Sequence, residues 1–194
     1  MERKLKVINL DVSLEDLQSG VSFVALVGDP ATQSNFLTFA ENKPLKFEIQ
    51  NEEKRIVTGV LMLADTEIYR NDLHGEYLIK FSKSSIFNMV RKFFRDGNTG
   101  NVNKMHDPAK PVNDVYMIES FIIDTERMAK PKGFENVPDG SWFGSYKVDN
   151  EDVWNEIKSG TFKGFSIEGN FIEQMFSVSK EERILAEIEK ILNS

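Results

Sequence analysis

Two histidines bound much of the chemistry open to this sequence. His74 and His106 are its only imidazoles in 194 residues, and it has no cysteine. A thiol nucleophile and a thiolate metal site are excluded, and any multi-histidine metal centre would need both rings. His106 lies in Asn103-Lys104-Met105-His106-Asp107-Pro108, at the end of a predicted strand. A neutral imidazole there can act as a general base near neutral pH, although a lone histidine also serves as a surface or hydrogen-bonded structural residue. Ser166 lies in Gly164-Phe165-Ser166-Ile167-Glu168-Gly169. In a strand, Phe165 and Ile167 would face the core while Ser166 and Glu168 share the opposite face. The glycines permit close backbone approach, so Ser166 is either a nucleophile reached by a substrate strand or a small polar filler. Glu168 stands where a Gly-x-Ser-x-Gly elbow would have its second glycine, which disfavours an α/β-hydrolase.

The dipeptide His106-Asp107 resembles the ligand pair of metal-dependent phosphohydrolases, but only His74 remains to complete such a shell. A carboxylate-dominated magnesium site would need no histidine, yet the carboxylates are scattered without tight spacing. No metal and no cofactor are expected, and a metal-dependent hydrolase is the weakest reading. With 24 Lys plus Arg against 31 Asp plus Glu, the net charge of -7 offers no global positive field for nucleic acid or anionic lipid. No window approaches the roughly 20 apolar residues of a membrane span, and no apolar signal segment follows Met1-Glu2-Arg3-Lys4, so a cytoplasmic location is expected.

The elements that must position these residues are mostly strands. Apolar alternation and β-branched runs predict strands over Leu5–Val12, Val21–Val27, Lys46–Gln50, Arg55–Leu63, Glu76–Phe81, Val102–His106, Val112–Ile123, Ser141–Val148 and Gly164–Gly169. Ser13–Leu17 reads as one helical turn capped by Ser13, and 69–75 as a polar loop. A helix capped by Ser82 or Ser84 carries Ile86, Phe87, Met89, Val90, Phe93 and Phe94 as a wide apolar stripe and closes at Asp96-Gly97-Asn98. A second helix over Asp149–Ile157 stops at Gly160, and Asp124–Asp139, with two prolines, reads as a surface loop. The expected organisation is one domain over 1–178, then an amphipathic helix over 179–194 with Ile184, Leu185, Ile188, Ile191 and Leu192 at helical spacing. That helix suits docking on its own domain or pairing two protomers as a homodimer.

Taken in order, Val57-Thr58-Gly59-Val60-Leu61, Ile68-Tyr69-Arg70, Gly75-Glu76-Tyr77, Asn101 to Asp107, Val115 to Ser120, Trp142, Lys147 to Asn150, Val153-Trp154, Ile157 to Gly160 and Gly164 to Gly169 resemble the XkdF-like serine proteases of tailed phages. Val24 to Ala31 resembles that family's opening segment, and the likeness runs from about Lys6 to Phe171. The resemblance implies an α+β fold: an assemblin-like, closed or nearly closed β-barrel of mostly antiparallel strands with a few helices around it. It implies capsid maturation, in which a serine endopeptidase inside the procapsid, in the host cytoplasm, cleaves scaffold protein and major capsid protein without a cofactor. By motif, His106 matches the family's general base and Ser166 its nucleophile.

The third member of the site is open. Assemblins place a second histidine after the serine, and this chain has none there. A carboxylate is the expected orienter of the imidazole. Glu119 is the first candidate, because the strand Val115–Ile123 is expected to pair with the His106 strand. Glu168 is second, sharing a strand face with Ser166, and Asp107 third, since adjacent strand residues point to opposite faces. The alternative function is a non-enzymatic scaffold or minor capsid component of the same fold.

Overall fold

The computed structural model describes residues 5–28, 46–72 and 75–173. In chain order, β1 (Val7–Asp11), β2 (Gly20–Val27), β3 (Glu48–Asn51), β4 (Ile56–Met62), β5 (Ile68–Asp72) and β6 (Gly75–Phe81) precede α1 (Lys83–Arg95). Then β7 (Val102–Lys104), β8 (Asp107–Pro111), β9 (Val115–Ile122) and β10 (Trp142–Val148) lead to α2 (Glu151–Lys158), followed by β11 (Gly164–Asn170) and β12 (Ile172–Glu173). The strands form three four-stranded sheets, ordered β12-β1-β6-β5, β3-β4-β10-β9 and β11-β2-β7-β8. Pairing is antiparallel except between β1 and β6 and between β2 and β7. The described residues are thus β-rich and antiparallel-dominated with two α-helices, but their strands remain in three sheets and do not close into the expected barrel. His74 and the helix expected over 179–194 lie outside the described residues.

Strand β4 shows why the sheets stack as they do. Its run Ile56-Val57-Thr58-Gly59-Val60-Leu61-Met62 is apolar on both faces and is buried from Val57 onward, the pattern of a strand covered on both sides. Val57 and Leu61 join Trp142 and Tyr146 of β10 in the main core, whereas Val60 and Phe143 join a second cluster with Phe134 and Val137. The last two come from the Asp124–Asp139 segment, which is irregular as expected yet caps that second cluster. Gly59 makes room for two aromatic rings, since a β-carbon there would come within 2.9 Å of Phe47 Cβ and 3.1 Å of Phe165 Cδ2. Its absence lets the Phe47 and Phe165 rings pack at 5.3 Å, with Tyr146 4.8 Å from Phe165 on the other side. This aromatic group pins β11 against the core at the residue before Ser166.

The helices follow their caps. Ser82 accepts a hydrogen bond from the Ser85 amide at 3.0 Å, and Gly97 takes the left-handed conformation just past α1. Ile86, Met89 and Phe93 are buried, but Phe87 and Phe94 of the expected stripe are exposed. The buried stripe is narrower than expected because Lys92 takes a buried place on the same helix, its Nζ 3.1 Å from Asp96. Asn150 caps α2 by accepting from the Val153 amide at 3.0 Å, and Gly160 follows at φ 76°. Two local expectations fail. Ser13 accepts from the Asp16 amide but no helical turn forms, and the polar stretch after Ile68 is strand β5, paired with β6 along its length.

Candidate active site

Strand β11 is the edge of its sheet, paired on one side with β2. Its alternation is as the sequence predicts: Phe165 is buried in the main core, and Ser166 and Glu168 share the other face. Ser166 pairs with Ala25 of β2, and Ala25 pairs in turn with Asn103 of β7. These three residues therefore form one row across the sheet, with Ser166 and Asn103 about 9–10 Å apart and a methyl group between them. A larger side chain at position 25 would fill that notch.

After Lys104 the chain reverses through Met105 and His106, and Asp107 pairs with Lys104. Both turn residues have positive φ, 54° and 59°. This is the signature of a two-residue turn that favours Asn-Gly, here made by a methionine and a histidine. Each left-handed non-glycine residue costs about 1–2 kcal/mol. The Met105 amide donates to the Leu26 carbonyl at 3.0 Å, and Lys104 Nζ reaches Glu156 of α2 at 2.5 Å. The hairpin tip is thereby fixed to the neighbouring strand and helix, and the imidazole is held out over the sheet, 43 % exposed.

His106 Nδ1 lies 3.2 Å from Glu168 Oε1. The same oxygen accepts from Asn103 Nδ2 at 2.5 Å. Glu168, with its side chain 26 % exposed, is thus clasped between a wholly buried amide and an accessible imidazole. An Nδ1–H donated to this carboxylate selects the tautomer whose Nε2 holds the lone pair, which is the nitrogen a general base uses. Among the described residues, no hydrogen bond joins Ser166 Oγ to His106, and Ser166 is 8 % exposed. The arrangement sets an imidazole against a carboxylate, with the Ser166 hydroxyl two residues before that carboxylate on the same strand face.

The three acid candidates separate clearly. The expectation that Val115–Ile123 pairs with the His106 strand is incorrect: β9 pairs with β10, in another sheet, and Glu119 is exposed across from Ser145. The reason is the hairpin itself, since β8 doubles back along β7 and takes the place Glu119's strand was expected to fill. Asp107 is engaged within its own strand, by Lys110 at 2.9 Å and by the Ala109 amide at 3.0 Å. The Lys110 ammonium, chiefly, holds its carboxyl below the usual range. Glu168 is the carboxylate at the imidazole. Asn103 went unnoticed in the sequence, where a polar residue in a three-residue strand carries no signal of a partner 65 positions later. Ser166 sits in mid-strand rather than at a strand-to-helix turn. Among the described residues no group of three His, Asp or Glu side chains is placed to hold a metal ion, and no helix is long and apolar enough to cross a membrane.

Over 162 residues the chain is 25 % identical to the Bacillus subtilis (strain 168) protein named "Uncharacterized protein YqbD", covering 80 % of this chain and 46 % of that one. The chain therefore spans about half the length of that relative. No solved structure matches. The family model described as "Putative phage serine protease XkdF" matches residues 45–173, about two thirds of the chain, a span that holds His106, Ser166, Glu168 and Asn103. The chain belongs to that family.

Proposed function

We propose that this chain is a serine endopeptidase of phage capsid maturation, acting on scaffold protein and major capsid protein inside the assembling procapsid in the host cytoplasm. The observation that carries the reading is the His106–Glu168 contact on the sheet face that also bears Ser166. In the reaction, Ser166 Oγ bonds to the peptide carbonyl carbon as its proton passes to His106 Nε2, and the Glu168 carboxylate steadies the imidazolium. The tetrahedral adduct collapses by breaking the C–N bond, and the imidazolium returns the proton to the leaving amine. Water, deprotonated by the same imidazole, then hydrolyses the acyl ester and restores the serine. No cofactor enters any step.

The test is co-expression of the chain, or its Ser166→Ala variant, with the phage scaffold and coat proteins, followed by mass measurement of the products. Fragments formed only with the intact serine, from a variant whose circular dichroism is unchanged, are the expected result. Identical intact masses in normally assembled particles would overturn the protease and favour a non-enzymatic scaffold or minor capsid component.

A further inference from the structure

A cavity of about 220 Å³ adjoins Ser166. Phe165, Ser166 and Ile167 all line it, although alternate residues of a strand point to opposite faces. Three successive residues can line one space when that space runs along the strand's edge, and no described strand pairs with β11 on the side away from β2. Across the gap are Leu61, Met62 and Leu63, at the end of β4 that β3 leaves uncovered, since β3 pairs no further than Thr58. The third sheet closes the space with one face: Ile68 and Arg70 of β5 lie opposite Ile79 and Tyr77 of β6, and all four line the cavity. Most of its side chains are apolar; the polar ones are the Ser166 hydroxyl, the Tyr77 phenol and the Arg70 guanidinium, which donates to the Tyr69 carbonyl at 2.9 Å.

We propose that this cavity is the specificity pocket of the protease, accepting a large apolar side chain such as leucine, methionine or phenylalanine beside the cleaved bond and refusing lysine or arginine. The inference rests on the serine protease reading. The volume exceeds the roughly 150 Å³ that holds a benzene ring in an apolar cavity. A substrate strand laid along the open edge of β11 would bring a carbonyl to Ser166 and send an alternate side chain into the space. Burial already lowers the pKa of the Arg70 guanidinium, and a second cation in that confined space would meet like-charge repulsion with little water to screen it.

Four probes decide the matter on the full chain, read as the rate of Ser166 modification by intact mass. Three are peptidyl diphenyl phosphonates that differ in one residue, leucine, alanine or lysine, beside phosphorus. In each, Ser166 Oγ bonds to phosphorus, a P–O bond breaks, and phenol leaves with the serine proton. The fourth is a small alkyl fluorophosphonate without such a side chain, which loses fluoride. The leucine probe is expected to react at least about tenfold faster than the alanine probe, with lysine slowest, and Arg70→Gln is expected to narrow the leucine-to-lysine ratio. Equal rates for the three phosphonates, with Ser166 still modified by the fluorophosphonate, would overturn the pocket and leave the protease reading standing. No modification by any probe would overturn both. If Arg70→Gln fails to fold, the unmodified chain still decides through the probe series.

Discussion

Two polar constellations lie on the sheets of this molecule and are built in opposite ways. Thr58 Oγ1 and Ser145 Oγ meet at 2.7 Å on directly paired residues of β4 and β10. Both are buried, neutral and satisfied by each other. The Asn103–Glu168–His106 group spans three strands, contains a carboxylate, leaves its imidazole exposed and hangs from a turn of two left-handed residues. It also leaves the buried Asn103 Oδ1 without a partner. An unpaired buried oxygen costs about 1–3 kcal/mol, and backbone strain adds to it. Thr58 and Ser145 show that this fold can pair buried hydroxyls with each other, although the buried Tyr146 hydroxyl has no such partner. Positive φ also occurs at Arg55, Asp65 and Asp114, but at the His106 hairpin backbone strain and an unpaired buried oxygen coincide beside a carboxylate and an exposed imidazole, the combination expected of a site arranged for chemistry.

The sharpest way to break this contrast is His106→Ala. Cleavage should fall by about 10² to 10⁴, the range for loss of a general base, while the melting temperature stays nearly constant because the exposed ring contributes little packing. A fall in both together would make His106 a structural residue. Asn103→Ala should have the next largest effect. A hydrogen bond to a charged group is worth about 1.5–3 kcal/mol, so loosening Glu168 should lower kcat about tenfold to a hundredfold with KM little changed. Steady-state kinetics on a capsid-derived peptide separates the two constants, and a rise in KM alone would assign Asn103 to substrate binding.

The Thr58–Ser145 pair should answer in stability instead. Ser145→Ala strands the Thr58 hydroxyl and should cost about 1–3 kcal/mol in urea unfolding. Replacing both residues, Thr58→Val with Ser145→Ala, should recover most of that loss, and neither variant should alter cleavage. A cleavage defect in the double variant would show that the contrast between the two regions is false.

How much of this was legible beforehand follows from the range of each interaction. Period-two alternation placed Ser166 and Glu168 together and sent Phe165 inward, because face sharing within a strand is local. The cap of α1, read as Ser82 or Ser84, was legible for the same reason, and Ser82 is the one that accepts. Sheet order was not. The pairing of β11 with β2 and of β2 with β7 joins segments far apart in sequence, and nothing in the run Val115–Ile123 says that its partner is β10 rather than the His106 strand. Strand β5 was hidden by Arg70, Asn71 and Asp72, residue types uncommon in central strands, because it is an edge strand paired on one side alone. The His106 turn was hidden by the lack of glycine or asparagine at positions whose backbone calls for them.

That missing turn chemistry yields the smallest and most local test. Met105 is 58 % exposed, so its side chain gives the fold little, yet its backbone sits at φ 54°. Asparagine tolerates this conformation better, and Met105→Asn should stabilise the protein by up to about 1 kcal/mol. For a chain of this size that is a rise of roughly 2–4 °C in melting temperature. If the turn serves only to reverse the chain, relieving its strain should leave cleavage unchanged. If its strain holds the imidazole over Glu168, the more stable variant should cleave more slowly, because a relaxed turn lets His106 leave the carboxylate. Stability and activity moving in opposite directions at a residue whose side chain is mostly exposed would tie the cost seen at this hairpin directly to the chemistry it positions.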